Sequence, residues 1–377
     1  MNIHCLNKIS PVGLKVLPNS YKLVEDINEA DAILVRSANM LEMELPARVS
    51  CVARAGAGVN NIPLEACAKK GVVVFNTPGA NANAVKELTI AAMLLAARDI
   101  KGSMKWVEEN KGDELINKSM EKAKSAFAGT EIMGKTLGVI GLGAIGALVA
   151  QAAGALGMHI VAVEPSKDTI ERNKHLLPND IEIVSNGELY EKADYISVHV
   201  PLLDATRGMI NKDAFAKMKD GVIIINCARD AIVNYDDLKE AIAAGKVRKY
   251  VTDFPNHKTA NMEGVIAISH LGASTEEAED NCAMMAARQI VDYVENGNII
   301  NSVNFPRLDL GKKANVRVVV LYEGDKAKEV GDIVSTNASI KKMASGMKGN
   351  FGASLFEVDK KIDPKLFDGV ALKAIVL

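Results

Sequence analysis

The chain has 377 residues, enough for two or three domains, and carries 45 Lys and Arg against 47 Asp and Glu. A net charge of −2 gives no global attraction to nucleic acid or to an acidic membrane, and 4% aromatic content leaves little to stack on bases. With 48% hydrophobic and 24% charged residues, the composition matches an ordinary globular protein and argues against disorder.

The opening MNIHCLNKIS has no apolar run behind a basic start, so no secretory signal is expected. No stretch reaches the ~20 apolar residues needed to cross a bilayer. Five cysteines (Cys5, Cys51, Cys67, Cys227, Cys282), with no CxxC pair, indicate neither a disulfide framework nor a zinc site, and a reducing cytoplasm is expected.

In chain order, Ala32–Val35 and Gly71–Phe75 read as buried strands, and Pro63–Lys70 and Val85–Arg98 as helices. Such alternation implies a parallel α/β sheet. A polar segment, Lys101–Lys124, separates this block from a second one that repeats the rhythm through TLGVIGLG, HIVAVEP, ADYISVHVP, GVIIINCA and KYVTDFP. Glu276–Tyr293 reads as a long helix stopped by Gly297. Beyond Leu310 the charge changes sign: residues 312–377 hold 12 basic and 8 acidic side chains. There the pattern is strand (Arg317–Leu321), helix (Lys326–Ser335), strand (Ser339–Met343), strand (Phe351–Val358), final strand (Ala371–Leu377). This is a small β-α-β-β-α-β fold with only Lys361–Val370 left for its second helix.

The most informative stretch is TLGVIGLGAIGALVAQAAGALGMHIVAVEP. Gly141, Gly143 and Gly146 follow an apolar strand and open an apolar helix, and Glu164 ends the next strand. Gly141 permits the tight turn, Gly143 admits a pyrophosphate, and Gly146 lets the helix pack on the sheet. The helix N-terminus offers N–H groups and a positive dipole to phosphates. Glu164 would accept from ribose hydroxyls and repel a 2′-phosphate, favouring NAD over NADP, with Lys167 partly offsetting that repulsion.

Residues elsewhere fit oxidation of a 2-hydroxy acid, which needs a base for the hydroxyl proton and a cation for the carboxylate. His270 follows the strand VIAIS, and Arg229 follows GVIIINCA; strand carboxyl ends are where open α/β sheets bind ligands. Arg229 offers a fork suited to a carboxylate. Taken singly, a histidine at a strand end is more often structural, and an arginine there a surface charge.

The runs VARAGAGVNNIPLEACAKKGVVVFNTPGANANAVKEL, GKTLGVIGLGAIG, HVPLLDATRGMIN, INCARDAIVNYDDL and SHLGASTEEAEDNCA resemble, in order, the D-2-hydroxyacid dehydrogenase family over most of residues 30–305. The resemblance implies two doubly wound parallel-sheet domains, flavodoxin-like and Rossmann, with the tail a shortened ACT-like (ferredoxin-like) α+β domain. It places residues 1–98 and 282–308 in a discontinuous substrate-binding domain, 99–281 in the NAD-binding domain and 314–377 in the tail domain. It implies Arg229 and His270 as the catalytic pair. Around the dinucleotide it implies Ala57, Gly141, Gly143, Ala144, Ile145, Gly146, Glu164, Val200, Pro201, Cys227, Ala228, Asp253, Gly272 and Ala273, with Asp253 on the carboxamide. For substrate it implies Arg36, Ser37, Arg54, Ala57, Gly58 and Asn81. The N–H groups of Ala57 and Gly58 would form an anion nest, and Arg36 and Arg54 would meet a phosphate or make ordinary salt bridges.

Within the family the likeness is greatest to members that oxidise 3-phosphoglycerate with NAD to 3-phosphohydroxypyruvate, opening serine synthesis. Dehydrogenation of another small 2-hydroxy acid, and a non-catalytic NAD-sensing protein, are the alternatives. A homodimer is expected through Lys86–Arg98 and the helical stretch before Thr136. The pattern breaks in one place that matters. The family's glutamate partner to the histidine, four or five residues after Asp253, is replaced here by His257 and Lys258. Ser269 replaces a usual proline and Asp230 a usual small residue. Reduced turnover or an acid-shifted optimum is expected, and a glutamate at 258 would raise turnover. In the tail, YEGDKAKE stands where ACT domains contact serine, leaving only Asn337 at a ligand position, so serine feedback is not expected.

Overall fold

The structure is a computed structural model describing residues 1–377, with three sheets. The first contains β1 (Asn2–Cys5), β2 (Lys22–Val24), β3 (Ala32–Val35), β4 (Cys51–Arg54) and β5 (Val73–Phe75), with helices α1 (Pro11–Leu14) and α2 (Leu64–Lys69) between strands. All pair in parallel in the order β2-β1-β3-β4-β5, the flavodoxin-like winding. The unbroken apolar run of β3 follows from burial on both faces: Ala32 and Leu34 enter one core, Ile33 and Val35 another.

A second compact unit spans Ala82–Thr275. It opens with α3 (Ala82–Ala97), α4 (Ile100–Glu109) and α5 (Ile116–Ala123), so the polar segment after Arg98 is largely helical. There follow β6 (Thr136–Ile140), α6 (Ala144–Ala155), β7 (His159–Val163), α7 (Lys167–Asn173), β8 (Glu182–Ile183), α8 (Asn186–Lys192) and β9 (Tyr195–Val198). The rest is α9 (Lys212–Lys217), β10 (Val222–Asn226), α10 (Tyr235–Ala243), β11 (Val247–Thr252), α11 (His257–Ala260) and β12 (Val265–Ala267). The strands are parallel in the order β12-β11-β10-β9-β6-β7-β8. Winding reverses between β6 and β9, the switch point at which such sheets bind ligands. Helix α3 shares a core with α6 through Val85, Ala92, Met93 and Ala96, which meet Val149, Ala150 and Ala153.

The other unit joins Met1–Asn81 to Glu276–Leu377. The units therefore divide ahead of α3 and of α12 (Glu276–Asn296), where the sequence placed the changes after residue 98 and after residue 281. The tail comprises β13 (Val316–Glu323), α13 (Ala327–Asn337), β14 (Ile340–Lys348), β15 (Phe351–Val358) and β16 (Lys373–Val376), antiparallel in the order β14-β15-β13-β16. Its second helix is a single 3₁₀ turn, Pro364–Phe367. One sheet face, with Val318, Val320 and Phe356, packs on Val330 and Val334 of α13. The other, with Val319, Leu321, Ala353 and Leu355, completes a core with Ile290 and Tyr293 of α12 and strands of the first sheet. A tail reading as a separate domain is thus built into the first unit's core. No helix is long and apolar enough to cross a membrane.

Candidate active site

The glycine loop after β6 takes its shape from its side-chain-free positions. Gly141 has φ +93°, and a Cβ there would lie 2.9 Å from Val200 Cγ1. A Cβ on Gly146 would lie 1.9 Å from the Gly141 carbonyl oxygen, so only glycine lets α6 start against the loop. At Gly143 a Cβ would meet nothing within 4 Å, leaving an open cradle at the helix start beside Ala144 and Ile145. Glu164 accepts from Leu142 N–H and Ser166 N–H, both at 3.0 Å, and Asn173 donates to the Leu142 carbonyl at 2.8 Å. The acid thus braces the loop as well as ending β7. Val200 and Pro201 follow β9, on the other side of the switch point.

Three consecutive strands of the sheet, β10, β11 and β12, carry the expected catalytic and carboxamide residues just past their ends. Arg229 follows β10, Asp253 and Phe254 follow β11, and His270 follows β12. The Phe254 ring centroid lies 4.4 Å from that of His270 and 5.3 Å from Arg229 Cζ. The predicted pair therefore meets at one aromatic ring, which no sequence pattern singled out. His270 has φ +46°, unusual for a side-chain-bearing residue. Its N–H donates to the Asp253 carbonyl at 2.8 Å.

The Arg229 loop is clamped from below. Asn226 donates to the Arg229 carbonyl at 2.8 Å and to Tyr250 Oη at 3.0 Å, while Tyr235 donates to the Asp230 carbonyl at 2.6 Å. The Asp230 side chain accepts from Ala231 N–H at 2.7 Å. These supports come from residues scattered over the sequence, which is why motif reading missed them.

Asp253 is 1% exposed; Oδ2 accepts from Gly272 N–H at 2.9 Å, and Oδ1 has no hydrogen-bond partner. Burial raises its carboxyl above the usual range, against the pull of the Gly272 N–H and the charges of His270 and Arg229. Cys227, buried beside it, is pushed up to about 12 by burial and then by the Asp253 charge. A buried acceptor lacking a donor fits the amide of a nicotinamide, and the open Gly143 cradle fits a pyrophosphate. Ala228 is half-buried beside Arg229; Gly272 is buried and Ala273 half-buried in the segment after His270.

The positions expected to hold a carboxylate for His270 do not turn one towards it. Lys258 is exposed and donates to Asp236 Oδ1 and Oδ2 at 2.8 and 2.9 Å, and His257 opens α11 on the surface. The next-residue ring, Phe254, is what touches the imidazole.

In the other unit, Arg36 follows β3 and pairs with Glu279 at 2.6 Å, and its N–H donates to Asn7 Oδ1 at 2.9 Å. Asn7 also donates to Ser37 Oγ at 3.4 Å. Arg54 ends β4 and donates to Asn61 Oδ1 at 3.1 Å, its guanidinium lying against Gly56. The N–H groups of Ala57 and Gly58 meet no backbone acceptor, while the Ala57 carbonyl accepts from Asn76 at 2.7 Å. Asn81 closes this segment of the unit. In the tail, Asn337 donates to the Ile333 carbonyl at 2.8 Å, finishing its own helix.

A sequence profile of the NAD binding domain of the D-isomer specific 2-hydroxyacid dehydrogenases matches residues 90–272. The D-3-phosphoglycerate dehydrogenase of Methanocaldococcus jannaschii is 33% identical over 366 residues, covering 88% of this chain and 67% of that protein. This chain belongs to the D-isomer specific 2-hydroxyacid dehydrogenases. The hydroxypyruvate reductase of Thermotoga maritima is 38% identical over 270 residues, covering 68% of this chain and 83% of its own. The crystal structure of NAD⁺-bound 3-phosphoglycerate dehydrogenase from Entamoeba histolytica aligns with a TM-score of 0.62 and 28% identity, over 82% of this chain and 99% of that one. The chain spans about two thirds or less of the length of the curated phosphoglycerate dehydrogenases it matches. The family's NAD-binding domain is the glycine-loop unit described above.

Proposed function

We propose that the chain oxidises 3-phosphoglycerate to 3-phosphohydroxypyruvate, the reaction that opens serine synthesis, with NAD as oxidant. The observation that carries this is the convergence of Arg229 and His270 on one ring beside a buried Asp253 oxygen that lacks a donor. NAD, when bound, supplies the acceptor for the C2 hydride. Gly143 and the start of α6 would take its pyrophosphate, Glu164 its ribose and Asp253 its carboxamide. His270 removes the hydroxyl proton, and Arg229 holds the carboxylate and stabilises charge on the forming carbonyl oxygen. Ala57 and Gly58 offer N–H groups to an anionic group of the substrate. Arg36 and Arg54 are the proposed phosphate partners, Arg36 by exchanging its Glu279 contact for phosphate. Ser37 and Asn81 complete the substrate residues.

Relatives named for phosphoglycerate and for hydroxypyruvate both support a three-carbon acid that carries a hydroxyl or carbonyl at C2. Five cysteines without disulfides fit a reducing, cytoplasmic setting. We also infer a homodimer. Helices α4 and α5 bury none of their residues, yet Met104, Val107 and Met120, with Leu115 just ahead of α5, are exposed.

The test is NADH formation with 3-phosphoglycerate, glycerate and lactate as substrates. A kcat/KM at least tenfold higher for the phosphorylated acid is expected. Preference for an unphosphorylated acid would assign a different substrate, and NAD binding with no turnover on any of them would favour the sensing alternative. His270→Asn should lower kcat by roughly 10²–10⁴ while leaving NADH binding intact.

A further inference from the structure

We infer that Phe254 is a positioning residue that spaces and steadies the Arg229–His270 pair. The inference rests on the reading of that pair as catalytic.

The argument begins with sheet order. β10, β11 and β12 are successive neighbours, so Arg229 and His270 leave strands that are two spacings, about 10 Å, apart. The middle strand runs between those tips, and Phe254 is the second residue beyond its end. Its ring meets the imidazole at 4.4 Å, with 42° between planes, and the guanidinium carbon at 5.3 Å. Both distances lie within the range in which aromatic faces attract cations and other rings.

Phe254 is itself held. Its N–H donates to Thr252 Oγ1 at 3.0 Å, and Asn256 caps α11 two residues later, accepting from Thr259 N–H at 3.0 Å. Asp253, just before it, holds the His270 backbone by its carbonyl. One strand tip therefore fixes the histidine at backbone and ring together. Position 258 offers no competing support, because its ammonium is occupied by Asp236. An aromatic ring, unlike a carboxylate, orients the imidazole without anchoring a ring proton, so its contribution is geometric. Small displacements of a catalytic group cost large factors in rate.

The experiment compares Phe254→Leu, Phe254→Tyr and His270→Asn by steady-state kinetics and by ¹³C-histidine NMR of the apoprotein. In the wild type the ring current of Phe254 should set the His270 carbon-bound protons upfield of those of the other five histidines. Phe254→Leu should abolish that displacement and lower kcat about tenfold or more, with KM for both substrates changed less than threefold. Phe254→Tyr should restore kcat to within about threefold. The inference is overturned if the wild-type His270 signals show no upfield displacement, or if Phe254→Leu keeps kcat within twofold while His270→Asn is inactive. Equal losses in Phe254→Leu and Phe254→Tyr overturn it as well. Full activity of His270→Asn would instead remove the catalytic reading beneath it. The wild-type spectrum decides the geometry even if a variant fails to fold.

Discussion

Asp253 is where burial and chemistry pull hardest against each other. Its carboxyl is raised by burial, so ionised Asp253 is more costly in the folded chain than in the unfolded one. The sign follows: its contribution to stability is largest at low pH and is lost as pH rises through the raised folded value. Asp253→Asn should therefore raise the melting temperature of the apoprotein at neutral pH, with the gain fading as pH falls. Thermal melts of both proteins between pH 4 and 8 check this; a pH-independent difference would contradict it. Asp253→Ala should weaken NADH binding roughly tenfold, read by fluorescence titration, because a donor on the cofactor would lose its acceptor. At this scale the sequence was informative wherever chemistry follows a strand end. Arg229 and His270 stand after apolar runs, whereas Asp253 was named only through the family resemblance. Phe254 could not be named, since an aromatic beside an acid has no periodicity, and its role exists only because β10, β11 and β12 are neighbours in space.

Among the elements, the β6–α6 turn separates two effects that a glycine motif usually merges. At Gly146 a methyl would strike a backbone oxygen at 1.9 Å, which cannot move without breaking the turn. Gly146→Ala should cost about 1–3 kcal/mol and abolish NADH binding together. At Gly143 the methyl meets no protein atom, so Gly143→Ala should keep the melting temperature within a degree or two while NADH affinity falls at least tenfold. Melting and NADH titration of the two variants check the contrast, and equal melting temperatures would show that the Gly146 contact relaxes. The strands here were legible because their apolar runs are long. The second tail helix was not, because ten residues between two strands suit a short helix or a 3₁₀ turn equally, and Phe367 buries either way. Nor could charge patterning reveal that fully buried Arg317 pairs with Glu357 at 2.9 Å and reaches the Asn296 carbonyl at the end of α12 at 2.8 Å. That contact ties the tail to the helix before it. Glu357→Ala should leave an unpaired buried guanidinium, cost about 3–5 kcal/mol, and speed hydrogen exchange across β13 and β15.

For the whole molecule, the question is what covers α4 and α5. The sequence placed the dimer contact on Lys86–Arg98 and on the stretch before Thr136. Within Lys86–Arg98, Ala92, Met93 and Ala96 join the core shared with α6, while Leu88, Ile90 and Leu94 are only half-buried. The more exposed apolar surface lies further along. Met104 is 68% exposed, Val107 48%, Leu115 57% and Met120 47%, on or beside helices whose best-covered residues, Trp106 and Ile116 among them, are only half-buried. Short helices with little tertiary burial are marginal in water, so a partner surface would stabilise both. On the proposed homodimer, a two-fold contact would let each arm cover the other. Met104→Glu combined with Met120→Glu should convert a dimer to a monomer in sedimentation at micromolar concentration and reduce far-UV helicity by about the content of one arm. A monomeric wild type, or a charged double variant that stays dimeric with its helicity intact, would move the interface elsewhere and leave the exposed methionines unexplained.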